Sequence, residues 1–415
     1  MPRDIPVGNG TLLVTFDKFY KLRDLYFPHV GQENHTKSSR IGVWVNGAFS
    51  WVSDGWTISR NYLEKDSITS LVTDVSLLNE SLKLKIAAND VVDFHENIYL
   101  KKLTFQNLSD SPQEVRLFIT HDFEIYGNDV GDTAAFRPEN NSLLHYKKDR
   151  YFLINTFAHG KFGIDYFATG NKKKESFEGT WRDAEDGVLS KNPIAQGSVD
   201  SVFGIHFRIP PKSFDTCYYW IAAGKNWTEV KELNETVQKR TPELFFKRTF
   251  DYWKLWVGKE SWIKNLLPDL LYRLYQRSLL VARTQMNTCG SIIAANDSDV
   301  IQFNRDTYCY MWPRDGALVA YALDLAGYPI TSHFYDFCGK IIEKDGYFLH
   351  KYTPSGSLAS SWHPWVLEGK EQLPIQEDET ALVIWGLWHH YQKYKDVEYL
   401  LNPFIDRLSS VQRTS

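Results

Sequence analysis

The chain has 415 residues, 43% of them apolar, which is long enough for two buried cores and too long for one ordinary domain. Its 47 Lys and Arg stand against 51 Asp and Glu, a near balance that offers no electrostatic footprint for nucleic acid and no polybasic membrane anchor. With no basic-then-apolar leader and no run near the ~18 apolar residues of a membrane span, the sequence predicts a soluble, cytoplasmic protein with neutral partners.

The first half reads as strands. Val43-Trp44-Val45-Asn46-Gly47-Ala48-Phe49-Ser50-Trp51 sets an Asn-Gly pair between alternating segments, the strongest short signal for a tight hairpin. Leu103–Phe105, a turn over Asn107–Pro112 and Val115–Ile119 continue the pattern, as do Tyr151–Ile154, Val202–Ile209 and Tyr218–Ala222. Many strands with no helix between them predict an antiparallel sandwich. The 14 Trp, 23 Tyr and 25 Phe suit such a core, and equally a protein that handles carbohydrate. Cys217, Cys289, Cys309 and Cys338 lie far apart without metal spacing, so free thiols are expected, with no metal and no cofactor.

Near residue 240 the period changes. Thr241-Pro242-Glu243 is a helix start, and Phe245, Phe246, Phe250, Trp253 and Trp256 follow at helical spacing until Gly258, a packed stripe that serves as a connector. Helical segments then follow at Leu266–Met286, Gly316–Ala326, Thr331–Glu343, Glu377–Lys393 and Val397–Val411. The expected organisation is a β-sandwich over 1–240, a connector over 241–264 and a helical domain over 265–415.

The loops between these helices carry the chemistry. Tyr308-Cys309-Tyr310-Met311-Trp312-Pro313-Arg314-Asp315-Gly316 combines aromatic rings that suit a pyranose face with an Arg/Asp pair that suits vicinal hydroxyls. The plainer reading is that Pro313 and Asp315 begin a helix and Arg314 is a surface ion pair. A second cluster lies downstream: Gly346-Tyr347-Phe348-Leu349-His350-Lys351-Tyr352, Ser360-Ser361-Trp362-His363-Pro364-Trp365 and Gln372-Leu373-Pro374-Ile375-Gln376-Glu377-Asp378-Glu379-Thr380-Ala381-Leu382.

Together with Asp4–Gly10 and Arg23–Asn34, these segments resemble the prokaryotic branch of the glucoamylase-type glycoside hydrolases, glycoside hydrolase family 15. The resemblance implies a multidomain β + α protein, an N-terminal antiparallel β-supersandwich followed by a partial (α/α)6 barrel. It implies inverting hydrolysis of terminal, non-reducing α-glucosidic bonds in an oligosaccharide or polysaccharide of glucose. Tyr308, Trp312, Arg314 and Asp315 match residues lining the pocket for the terminal glucose, and Trp362 falls where the family has a Trp near the scissile bond. His363 reads either as an orienting residue or as a packed loop histidine.

Glu377-Asp378-Glu379 suggests catalytic carboxylates, yet three acids in a first turn are also what a helix dipole favours. Ala381, Ile384, Trp385, Trp388 and Tyr391 share one face of that helix, as on an inner barrel helix. The family's general acid begins a Leu-Trp-Glu-Glu segment, and none occurs here: Leu255-Trp256 is in the connector and Leu387-Trp388 precedes His389-His390. Acid and base are therefore expected beyond residue 415, with Asp378 and Glu379 as fallback candidates. The chain alone is then expected to be inactive, a truncated or split form whose barrel a second polypeptide completes, leaving Ile384, Trp385 and Trp388 beside a face without partner helices. Alternatives are a non-catalytic glucan-binding or regulatory protein and a glycoside phosphorylase of the same architecture.

Overall fold

The computed structural model describes residues 4–53, 55–172, 179–296, 308–361 and 363–401. The chain divides into two units, Met1–Pro28 with Glu33–Gly258, and His29–Gln32 with Lys259–Ser415. Antiparallel sheets build the first and helices most of the second, the class that the sequence predicts.

In the first unit a large sheet runs in the order Ile194–Gly197, Asp132–Arg137, Ser142–Lys147, Arg150–Ala158, Phe214–Gly224, Ile98–Asn107, Leu84–Val92, Ile68–Asn79 and Thr57–Lys65. A smaller sheet runs Tyr166–Asn171, Val199–Ile209, Gln113–Phe123, Ile41–Val45 and Ala48–Trp51. Aromatic side chains join the two face to face: Phe105 meets Phe207 at 5.0 Å, Tyr219 meets Phe203 at 5.4 Å, and the Tyr219 hydroxyl lies 2.8 Å from His121 Nε2. The Asn46-Gly47 hairpin forms as expected, with Val45 opposite Ala48 and both turn residues at positive φ, 48° and 99°.

Two helices close this unit. Helix α1, Trp227–Arg240, is absent from the sequence reading because its apolar stripe, Trp227, Val230, Leu233 and Val237, is interrupted by a buried polar residue. That residue, Asn234, accepts from Trp220 Nε1 and Asn155 Nδ2, both at 3.1 Å. The missed signal was the cap: Asn226 accepts from the Glu229 N–H at 3.0 Å while Glu229 reaches back to the Lys225 N–H at 2.8 Å. Helix α2, Pro242–Val257, buries Phe245 and Phe246 against Val72, Val91, Ile98 and Leu100. Arg248 donates twice to the buried Asp93, at 2.7 and 2.5 Å, a bidentate pair that fixes the helix on the sheet.

In the second unit, helices α3 (Asp269–Thr284), α4 (Pro313–Leu325), α5 (Ser332–Ile341), α6 (Glu377–Tyr394) and α7 (Val397–Leu400) are described, and the expected continuation to Val411 lies outside the described residues. Glycines set how closely these helices approach. A Cβ on Gly316 would lie 2.3 Å from the Phe334 ring, and one on Gly386 would lie 2.9 Å from the Tyr335 hydroxyl. Buried polar groups then fix the pairing. Asp324 of α4 accepts from Thr331 and faces His390 Nδ1 of α6 at 3.0 Å.

The buried face of α6 is Glu379, Val383, Gly386, Leu387 and His390. Trp385 and Trp388, expected beside a face without partner helices, are exposed among the described residues. Small and polar residues win the contact with α4 and α5 because they permit close approach and close the Asp324 node. No helix of the described residues is long and apolar enough to cross a membrane.

Val30 and Gly31 belong to this second unit, held by Asn287. Its side chain accepts from the Val30 N–H at 2.7 Å and donates to the Val30 carbonyl at 2.9 Å. Gly31 has φ +94°, and a Cβ there would sit 2.6 Å from the Cys309 carbonyl oxygen. Backbone strain and a backbone clash coincide at this position. Gly31→Ala is expected to destabilise the second unit by about 1–3 kcal/mol in urea titration, and an unchanged midpoint would mean that the turn tolerates a side chain.

Candidate functional site

Helix α4 starts where extended backbone turns inward. Trp312 has φ −102° and ψ 128°, and Pro313 takes the first helical position, where the N–H it lacks has no helical partner. One residue earlier, Met311 and Tyr352 exchange two backbone hydrogen bonds of 2.9 Å. That bridge brings the 308–316 segment beside the 346–352 segment.

Side chains consolidate the pairing. The Trp312 indole N–H donates to His350 Nε2 at 3.2 Å. That nitrogen is thus an acceptor, so the neutral ring carries its proton on Nδ1, 3.0 Å from Ser361 Oγ. Ser361 Oγ also accepts from the His363 backbone N–H at 3.0 Å, and the His350 and His363 rings meet edge-on at 4.9 Å. The buried Lys351 ammonium lies 4.7 Å from the Tyr310 ring centre and 5.2 Å from that of Trp312, a cation on two aromatic faces.

The other half of the site comes from the start of α6. Arg314 Nη1 donates to Gln376 Oε1 at 2.6 Å and lies 3.3 and 3.4 Å from the two Asp378 oxygens, while Nη2 lies 3.4 Å from Asp315 Oδ2. Arg314 meets Asp378 near the two helix starts and Asp324 meets His390 toward their ends, so α4 and α6 run in the same direction. Both positive helix ends therefore gather here with Asp315, Glu377 and Asp378, a stabilising arrangement in itself.

Glu379 stands apart. It is 0% exposed, and neither carboxylate oxygen has a hydrogen-bond partner among the described residues. Burial pushes its carboxyl up to about 9, with Arg314 acting in the opposite sense and Asp378 and Asp315 adding to the rise. A carboxyl kept protonated at neutral pH is able to donate a proton.

Of the residues singled out in the sequence, Arg314, Asp315 and Asp378 converge, and Glu379 is buried next to Asp378. Tyr308 is 45% exposed with its ring 6.0 Å from Trp312. Trp312 is 3% exposed, a bed beneath Tyr308 instead of an open wall. Trp362 lies outside the described residues. Gln376, His350 and Lys351 stood within quoted motifs but received no role. Adjacent His and Lys in an aromatic segment were the available signal for the last two.

No family model matches the chain. It is similar to an uncharacterized glycosyl hydrolase of Methanocaldococcus jannaschii, 24% identical over 404 residues that make up 95% of this chain and 60% of the relative. Among solved structures it is similar to a bacterial glucoamylase complexed with acarbose, with a TM-score of 0.69 and 14% identity over 96% of this chain and 56% of that one. It is also similar to a protein from the human microbiome described as a kojibiose phosphorylase, with a TM-score of 0.60 and 11% identity over 99% of this chain and 56% of the other. The chain thus spans a little over half the length of the proteins it matches. The fold is glycoside hydrolase-like, antiparallel sheets followed by helices.

The buried Glu379 has a pH consequence. Its folded value of about 9 lies above the ordinary 4.5, so between these pH values folding takes up a proton. Stability contributed at this position is greatest below the ordinary value and falls as pH rises toward 9. Glu379→Gln is accordingly expected to be more stable than the parent at pH 7 by about 1–3 kcal/mol, with the advantage vanishing near pH 4. Paired denaturation curves at the two pH values measure it, and a less stable Gln variant at pH 7 contradicts the assignment.

Proposed function

We propose that the helical unit carries the sugar-positioning half of a glycosidase active site, in a protein that hydrolyses terminal, non-reducing α-glucosidic bonds with inversion. The observation that carries this reading is the Arg314 cluster, where one guanidinium is drawn between Gln376, Asp378 and Asp315, on a segment whose exposed Tyr308 ring lies against Trp312. Donors and acceptors side by side suit two neighbouring hydroxyls, and an aromatic face suits the ring that bears them. Arg314 and Asp315 would hold the outer hydroxyls of a terminal glucose and orient the first linkage for attack. In this reading residues 1–240 are the sandwich, 241–264 the connector and 265–415 the N-terminal part of the catalytic barrel. General acid and base belong to the length of the relatives that this chain does not span, with a second polypeptide as their possible source. Asp378 and Glu379 are the alternatives within the chain.

The phosphorylase reading draws on the likeness to the protein described as a kojibiose phosphorylase. Phosphate would then replace water as the nucleophile, and the product would be a sugar phosphate. A non-catalytic glucan-binding protein would share the pocket and release neither product.

Incubation with maltodextrin, with and without phosphate, separates these readings by assay of glucose and glucose 1-phosphate. This chain alone is expected to release neither above background, because each missing proton-transfer group removes about 10²–10⁴ in rate. Turnover abolished by Glu379→Gln would place the acid at Glu379. Arg314→Ala and Asp315→Ala are each expected to weaken binding of a glucose-ended oligosaccharide about tenfold or more, about 1.4 kcal/mol. Calorimetry in which neither substitution matters would leave the pair as helix-start chemistry.

A further inference from the structure

The first unit contains a polar cavity of about 150 Å³ that the proposed function does not use. This is well beyond the ~10–15 Å³ that one water needs. Its lining joins elements far apart in sequence: Lys37 in the Thr36–Ser38 strand and Arg40 just after it, Asp122 at the end of Gln113–Phe123, Lys172 after Tyr166–Asn171, Trp181, and Asp200 in Val199–Ile209.

Three features define its chemistry. Asp200 is 4% exposed; Oδ2 accepts from the Thr180 N–H at 2.8 Å, whereas Oδ1 has no partner among the described residues. Burial pushes this carboxyl up to about 6 against the pull of the Thr180 N–H, as expected for a buried acceptor short of donors. Arg40 has no carboxylate partner among the described residues, and its guanidinium lies 5.3 Å from the Trp181 ring centre and 5.7 Å from that of Trp51. Lys172 is paired with Asp122 and also donates to the Phe123 carbonyl at 3.2 Å, so its charge is already met.

These features discriminate among ligands. A buried carboxylate facing inward disfavours phosphate and other anions, and Arg40 and Lys37 disfavour a metal cation. What remains is a neutral group with hydroxyls that donate to Asp200 and accept from Arg40 and Lys37, small enough for this volume and able to lie against an indole. We propose that this cavity binds a single hexose ring at the end of a neutral oligosaccharide, a site separate from Arg314. It requires no catalysis at Arg314 and stands whether or not the proposed hydrolysis is correct.

The test is calorimetric titration of the full chain with maltotriose in an Arg314→Ala background, which removes the other candidate sugar contact. Binding is expected to persist in that background. Adding Trp181→Ala or Asp200→Asn is expected to raise Kd about tenfold or more. Trp181 is half-buried in a short helical turn, so its Ala variant carries the test if the Asn variant fails to fold. Loss of binding with Arg314→Ala alone, binding indifferent to both added substitutions, or saturable binding of inorganic phosphate that maltotriose does not displace would each overturn the proposal. A wild-type response lost with Arg314→Ala but unaffected by Trp181→Ala would support the helical-unit site and reject this one.

Discussion

The candidate site in the helical unit depends on a very short piece of extended backbone. Met311 and Tyr352 pair once, through two hydrogen bonds, between segments roughly forty positions apart in the chain. Both residues are buried, so leaving these amide and carbonyl groups unmet would cost about 1–3 kcal/mol each. The pairing fixes the residue after Met311 and the two before Tyr352. Trp312 thereby meets His350 edge-on and the Lys351 ammonium over its ring, and it is set at the entry to α4. Pro313 commits the chain to a helix at the next residue, which carries Arg314 to the start of α6. The cluster around Arg314 is thus a consequence of a backbone register established before the helix begins.

Among the described residues, the buried Asp90 and Asp93 contrast with the buried Glu379 and Asp200, and the contrast bears on function. Asp90 in the sandwich receives Tyr20 at 2.5 Å, Thr73 at 2.6 Å, Tyr99 at 2.7 Å and Lys101 at 2.8 Å, four donors that satisfy a charge held out of water. Asp93 is met by Arg248 and Thr249 in the same way. These are structural acids, each tying several elements together. Glu379, with two unmet oxygens, and Asp200, with one, lack that saturation among the described residues. Their raised values follow from burial without enough donors, and a ligand or a proton is what can complete them.

Much of the fold was legible where one residue pair or one period decides the outcome. Asn46-Gly47 takes up positive φ, and the aromatic stripe from Phe245 to Trp256 packs along one face of its helix. Helix α1 was not legible because Asn234 occupies the core position at which the periodicity needs an apolar residue, and only its tertiary partners Trp220 and Asn155 explain it. On α6 the exposed aromatic face of Trp385 and Trp388 was legible, whereas the close contacts made by Gly386 and His390 were not. In the candidate site, Arg314 and Asp315 were singled out by the family resemblance, since residue type alone left helix-start chemistry as the plainer reading. Gln376 and His350 could not, because their significance lies in a partner more than thirty residues away.

The geometry also limits what Asp378 and Glu379 can do together. Inversion needs two carboxyl groups about 6.5–9.5 Å apart with the sugar between them. Consecutive residues in the first turn of one helix diverge by about 100° around its axis, so their side chains cannot face each other across a substrate. The structure separates them further: Asp378 is exposed and touches Arg314, whereas Glu379 is buried without a partner. At most one of the two fits such a pair, and burial raises the Glu379 carboxyl in the direction an acid requires. An opposing carboxylate for such a pair would come from a different element.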